Sequence, residues 1–343
     1  MHEPEHRPAP PRSGGLAPST IARRGLLALP MLGLPVLGMP ALVRAQPAWP
    51  SRPITLIVPY PPGGSTDNVA RPVAPRLGEL LGQTVLIENR GGAGGSIGAA
   101  AVAQAKPDGY TLLVWPTAIL TISPHMMRLP YDPQRDFTPV GLLAMSDAVV
   151  AMHPRVPVRD IRGLVDYARA NPGALRFSSA GNGTITQMTG EIFADAAGIR
   201  LEHVPYRGSA PALTALLAGD VELQFDPIAM PAVKDGRIIG LATTGETRSP
   251  ELPGLPTLRE AGFYGEGGLS FHALAGPAGL PAEVIARLVA ALEQVLVMPE
   301  VVRTMAPVGL RPQPESGETF ARRIERDRAI FGDAVRRTGA RVE

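Results

Sequence analysis

The stretch that most constrains this chain is the run from Ile54 to Asp67, Ile-Thr-Leu-Ile-Val-Pro-Tyr-Pro-Pro-Gly-Gly-Ser-Thr-Asp. Ile54 to Val58 is short, β-branched and apolar, which suits a buried strand and is too brief for a helix. Pro59, Pro61 and Pro62 end it, because proline can neither donate to a ladder nor extend one. Gly63-Gly64 frees the backbone for a tight turn, and Ser65, Thr66 and Asp67 follow as three candidate N-caps for the next helix. A strand, a glycine turn and a helix start together leave backbone N–H groups free at the mouth of a sheet. That arrangement is either an anion site or a plain strand-to-helix turn.

The same grammar continues downstream. Helical spacing of Val69, Val73, Leu77 and Leu81 predicts a helix whose first turns Pro72 and Pro75 should shorten or kink. A strand at Val85 to Glu88, a second glycine-rich loop from Asn89 to Ser96, an alanine-rich helix from Ile97 to Ala105 and a strand at Tyr110 to Trp115 complete a βαβαβ unit. Such a unit makes a parallel sheet, with ligands at the carboxyl ends of its strands.

A strand region from Val140 through Val150 and a helix from Val158 to Ala170 lead into a second unit. There a strand at Arg176 to Ser178 runs into a third small-residue loop, Ser179-Ala-Gly-Asn-Gly-Thr184, which opens another helix. Strands at Glu202 to Val204, Val221 to Phe225 and Ile238 to Thr243 follow. A strand at Leu269 to Ala275 returns towards the first unit, and helices at Ala282 to Met298 and Gly317 to Thr338 close the chain.

Composition narrows the class. With 45% hydrophobic and 19% charged among 343 residues, the chain can bury a core of about two domains. Arg23-Arg24 before an apolar run from Gly25 to Val43, then Val43-Arg44-Ala45, reads as an export signal over residues 1–45, twin-arginine or Sec in type. Pro30, Pro35 and Pro40 interrupt that run and argue against a spanning anchor. The expected mature protein therefore starts at Gln46, free in the periplasm. Residues 1–45 carry five arginines against two glutamates, so the net charge of +2 for the whole sequence becomes −1 over residues 46–343. No basic stripe is left for nucleic acid. There is no cysteine, and the four histidines after residue 45 have no metal-ligand spacing, so neither a metal nor a cofactor is expected.

Three chemistries compete for the glycine loops. Nucleotide binding lacks the Gly-Lys pair of a phosphate loop, and Ile97 stands where a dinucleotide fingerprint needs glycine. A secreted serine hydrolase is the alternative, because Gly94-Gly-Ser96-Ile-Gly98 matches a nucleophile elbow. Residues 89–93 nevertheless separate that serine from its strand, and none of His125, His153, His203 and His272 sits in a catalytic motif. The third chemistry is a carboxylate-binding cleft between two α/β units, each presenting a hydroxyl-bearing helix start.

The sequence resembles the substrate-binding proteins of tripartite tricarboxylate transporters, the Bug-type periplasmic receptors. The resemblance lies in Trp49 to Asp67, Glu88 to Gly95, Pro107 to Leu113, Leu129 to Pro133, Asp136 to Val140, Asn171 to Gly173, Val204 to Gly208 and Asp226. It implies an α/β, two-lobed periplasmic binding protein fold of type II-like form, each lobe a sheet flanked by helices. Lobe 1 is expected over 46–146 and 268–343, and lobe 2 over 147–267. It also implies a non-enzymatic monomer that passes a small organic carboxylate to membrane transporter subunits.

The expected ligand-binding residues are Tyr60, Gly63, Gly64, Ser65, Asp67 and Thr117 in the first lobe. In the second they are Ser179, Gly181, Asn182, Gly183, Thr184 and Asp226. Asp67 and Asp226 have two readings, ligand contact or loop shaping, since a carboxylate beside a carboxylate site repels the ligand unless it is turned away. Gln187 stands where the family usually has a histidine.

Overall fold

The computed structural model describes residues 49–263 and 270–340, so the export signal over 1–45 lies outside the described residues. Eleven strands form two sheets. Strands β1 (Ile54–Val58), β2 (Val85–Asn89), β3 (Thr111–Pro116), β4 (Phe137–Ser146), β10 (Ser270–Pro277) and β11 (Leu310–Ser316) build the first, in the order β11-β4-β10-β3-β1-β2. Strands β5 (Val149–Met152), β6 (Arg176–Ser179), β7 (Glu202–Pro205), β8 (Leu223–Asp226) and β9 (Ile239–Thr243) build the second, in the order β7-β6-β8-β5-β9.

Both sheets share one arrangement near one edge. β1 pairs parallel with β2 on one side and β3 on the other. β6 does the same with β7 and β8. Each strand that leads into a hydroxyl-bearing loop and helix thus sits where the strand order reverses. At such a point successive connections diverge and leave a crevice at the carboxyl ends. Antiparallel partners complete each sheet, β10 and β4 on β3, and β5 and β9 on β8.

Helices cover both faces of each sheet, which is why inner strands such as β1, β3 and β5 read as largely apolar runs. On the first sheet Leu56, Val58 and Leu112 pack under Val73 and Leu77 of the Ser65–Leu81 helix and Leu288 of the Ala282–Val295 helix. Trp115, Phe271 and Phe320 fill the opposite face. On the second sheet Phe177, Phe193 and Phe225 form one core, and Val149, Leu216 and Met230 the other.

Among the described residues the β4–β5 crossing and the last helix both tie the lobes together. Between β4 and β5 lie only Asp147 and Ala148, so the single strand region expected from Val140 through Val150 is in fact two strands in different sheets. The crossing is tied on both sides. Asp147 takes a bidentate contact from Arg311, with both N–O distances 3.1 Å, and the Ala148 N–H donates to Thr244 Oγ1 at 2.9 Å. The last helix, Gly317–Thr338, is the second link. Its Phe331, Ala334 and Val335 share an apolar cluster with Ala118 and Ile122 of the first lobe and Met188 and Ile192 of the second.

Three local expectations are corrected. Pro72 and Pro75 do not shorten or kink their helix, which runs unbroken from Ser65 to Leu81. Pro72 is half-buried and Pro75 exposed, on the wetter side of the helix, while Val69, Val73 and Leu77 hold it down. None of Ser65, Thr66 and Asp67 is the N-cap, which is Gly64. A short helix (Pro299–Met305) and β11 lie between the two closing helices, where no element is expected from the sequence, because Pro312 and Pro314 disguise an edge strand.

Gly82 ends the Ser65–Leu81 helix with φ 74°, its N–H bonded to Gly78 O, and nothing lies within 4 Å of where a Cβ would stand. Gly82→Ala should therefore cost only the left-handed backbone strain, about 1 kcal/mol. Melting curves should show a drop of about 2–4 °C. No drop would mean that the helix end relaxes into another conformation.

Candidate functional site

The loops at the two strand-order reversals meet. A small cavity of about 30 Å³ between them is lined from the first sheet by Tyr60, Pro61, Gly64, Ser65, Thr66, Pro116 and His272, and from the second by Ala180, Thr184, Ile185, Thr186 and Ser209. It adjoins a wider pocket of about 600 Å³ that shares Tyr60, Pro61 and Ala180 and is walled by Gly91 to Gly95 and Tyr206 to Gly208. No Asp, Glu, Lys or Arg lines the small cavity among the described residues. Arg207 stands on the wall of the wider one.

Three helices begin at the small cavity: Ser65–Leu81, Ile185–Ala197 and Ser209–Ala218. Their N-caps are Gly64, Thr184 and Gly208, and none supplies a side-chain cap. The first N–H groups of a helix have no partner within it, and the helix dipole adds positive potential there. Three uncapped N-termini aimed at one small space therefore make a neutral-walled cradle for negative charge. The Ser65 hydroxyl makes no hydrogen bond among the described residues and stands on this cavity.

Beneath the cradle each loop is fixed by its own polar groups. Asp67, 1% exposed, accepts from the Gly63 N–H at 2.8 Å, Arg71 Nε at 2.6 Å and Asn89 Nδ2 at 3.1 Å. Asn89 also donates to the Tyr60 carbonyl at 3.0 Å, and the Tyr60 hydroxyl donates to Gly94 O at 2.9 Å. Burial by itself would raise the Asp67 pKa, but these donors outweigh it and hold the carboxyl below its usual range. Burial pushes the Tyr60 hydroxyl well up, so it stays a neutral donor.

In the second loop Ser179 Oγ lies 2.6 Å from His203 Nε2 and accepts from the Gly181 N–H at 3.1 Å. Burial lowers His203 to about 4, so that imidazole is neutral. Thr184 Oγ1 donates to Gly181 O at 2.6 Å, Thr186 Oγ1 accepts from the Ala180 N–H at 2.9 Å, and Gln187 Oε1 accepts from the Gly183 N–H at 2.9 Å.

The expected residues thus separate into three groups. Tyr60, Gly64, Ser65 and Thr184 line the small cavity. Gly63, Gly181 and Asn182 lie at the seam between lobes: a Cβ on Gly63 would stand 3.9 Å from the Ala210 Cβ, Gly181 borders the wider pocket, and the Asn182 carbonyl faces Gly94. Asp67, Thr117, Ser179, Gly183 and Asp226 lie beneath the surface. Thr117 Oγ1 donates to Phe271 O at 2.9 Å and accepts from the Phe271 N–H at 2.6 Å, which pins β10 to the end of β3. The Gly183 carbonyl accepts from Ser123 Oγ at 3.3 Å, across the seam. Asp226 accepts from the Ile228 N–H at 3.0 Å, and burial raises it to about 6 against the pull of Ser209 and Ile228.

Sequence reasoning missed Thr66, Thr186, Ser209 and His272. Ser209 had a signal, since Gly208 precedes it at a helix start, as Gly64 precedes Ser65. His272 had none. Ser96 of the hydrolase alternative is buried, with Met127 Sδ 4.0 Å from its hydroxyl, and no imidazole is bonded to it among the described residues.

Residues 69–339 match the tripartite tricarboxylate transporter family receptor. The chain belongs to this receptor family. Protein BugT of Bordetella pertussis is 33% identical over 303 residues, covering 86% of this chain and 92% of that relative. Rpa4515 of R. palustris, solved with adipate, has a TM-score of 0.81 at 33% identity over 86% of this chain and all of its own. MatC from Rhodopseudomonas palustris, solved with malate, has a TM-score of 0.78 at 30% identity over 84% of this chain and all of its own. The receptor family thus accounts for a mixed α/β fold of two helix-flanked sheets. Among the described residues no helix is long and apolar enough to cross a membrane.

Proposed function

We propose that this receptor binds a small organic carboxylate between its lobes, in the periplasm, and delivers it to the membrane subunits of a tripartite transporter. The observation that carries this reading is the convergence of three uncapped helix N-termini on a cavity with no charged wall. Such a cradle favours a carboxylate over a cation or a neutral sugar, because N–H groups and helix dipoles stabilise negative charge. The relatives solved with adipate and malate support the same class.

A cavity of about 30 Å³ has room for one or two water molecules. The carboxylate head takes the place of those waters, and the rest of the solute extends past Tyr60 into the wider pocket. We propose the crossing at 146/147 as one lobe boundary and closure about it as the binding motion; the other expected boundary, at 267/268, lies outside the described residues. Ser96, buried and without a base, has no nucleophilic role in this reading, and a serine-reactive probe should leave it unlabelled.

A thermal-shift screen of mono-, di- and tricarboxylates on residues 46–343 tests the class. A solute at 100 times its dissociation constant should add about 2.7 kcal/mol. A silent carboxylate panel with stabilisation by sugars or cations would sink it. Ser65→Ala should leave unliganded stability unchanged and weaken binding by about 0.5–1.5 kcal/mol, because the hydroxyl has no protein partner to lose. Equal affinity in titration calorimetry would remove Ser65 from the site.

A further inference from the structure

His272 is the one histidine lining the small cavity among the described residues, and the fold leaves one of its nitrogens unused. It lies in the middle of β10, paired with Pro116 of β3 and Ala144 of β4, and is 2% exposed. Its Nδ1 is 3.4 Å from Thr66 Oγ1, in the first turn of the Ser65–Leu81 helix, while Nε2 has no hydrogen-bond partner. A buried polar atom without a partner costs stability, and here the atom belongs to a residue that walls the small cavity. Burial lowers the ring to about 4, so it is neutral at ordinary pH and has one N–H to place. The other donors around the cavity are helix N–H groups and hydroxyls such as Ser65, which suits an acceptor as ligand. With the Thr66 O–H donating to Nδ1, the imidazole proton stands on the unpartnered Nε2.

We propose that His272 is a ligand-binding residue of this receptor: its Nε2–H, set in that tautomer by Thr66, donates to an oxygen of the bound carboxylate. The assignment rests on the carboxylate reading above and adds the one side chain of β10 that reaches the solute. It also gives a reason for a histidine inside an otherwise apolar strand, where Phe271, Ala273 and Leu274 are all buried core.

Titration calorimetry with malate and adipate on wild type, His272→Phe and His272→Gln tests it, together with melting of each unliganded protein. Phenylalanine keeps the shape and removes the donor, so affinity for the tighter solute should fall about tenfold while the melting temperature holds or rises. Glutamine restores a donor of similar reach and should bind within about threefold of wild type. Unaltered binding by His272→Phe would overturn the assignment and leave the carboxylate reading intact. A wild type that binds no carboxylate would overturn both. Should His272→Phe fail to fold, nitrogen NMR of the histidine-labelled wild type decides: the Nε2–H tautomer and a shift of that resonance on adding solute are expected. A resonance unmoved by a bound solute would overturn the proposal.

Discussion

Gly94→Asn should weaken carboxylate binding more than about 100-fold, roughly 3 kcal/mol, while leaving the unliganded protein folded. Gly94 lies in the glycine loop of the first lobe with φ 63°, and a Cβ there would stand 2.6 Å from the Asn182 carbonyl oxygen of the second. That separation is shorter than real Cβ contacts allow, and the obstacle is backbone, so no side chain can swing aside to relieve it. Asparagine tolerates the left-handed region better than other residues, which separates the wedge from backbone strain. With the lobes propped apart, the Ile185–Ala197 and Ser209–Ala218 helix starts no longer reach a solute held by the Ser65–Leu81 helix. Water then occupies the gap and weakens every remaining hydrogen bond. Small-angle scattering should show the wild type contracting on binding and Gly94→Asn remaining unchanged. The control is Gly173→Asn, at φ 79° with nothing within 4 Å of its Cβ, which should bind as wild type. Normal affinity in Gly94→Asn would show that closure of this seam is not needed for binding.

What was legible in the sequence were the local signals. The Ile54–Val58 run, its proline stop and Gly63-Gly64 identify a strand and a helix start, because strand length and turn chemistry are written within a few residues. Arg176 to Thr184 repeats the signal. What the sequence does not carry is strand order. That β1 and β6 both sit where the order reverses follows from long-range pairings, and those pairings bring Ser65, Thr184 and Ser209 to one cavity. The break at Asp147 was hidden for a related reason. Val140 to Val150 is apolar apart from Ser146 and Asp147, and residues far along the chain, Arg311 and Thr244 among them, hold the crossing between sheets. His272 was hidden because a lone histidine in an apolar strand looks like core until its neighbours are known. Gln187, in the place of the family's usual histidine, turned out to hold its own loop through the Gly183 N–H.

Asp67→Ala should destabilise the unliganded protein by about 3 kcal/mol and abolish binding with it. The carboxylate is buried and takes three donors, one of them the Arg71 guanidinium, so its removal strands the Gly63 N–H and Asn89 Nδ2 in a part-buried site. Asn89 would then no longer hold the Tyr60 carbonyl in register with the helix start, and the Gly63-Gly64 turn would lose its tie to the Ser65–Leu81 helix. Melting should fall by about 6 °C or more. The pH dependence carries the sharper signature. Burial opposes ionisation of Asp67, but the Gly63 N–H, Arg71 and Asn89 more than compensate, so the folded pKa lies below the unfolded value of about 3.9. Stability from a depressed carboxylate is fully present above the unfolded pKa and is lost as pH falls through the folded one. The gap in stability between wild type and Asp67→Ala should therefore be constant near neutrality and narrow below about pH 4. A gap that stayed the same down to the acid unfolding limit would mean that Asp67 acts by shape alone, and that its charge does not hold the loop.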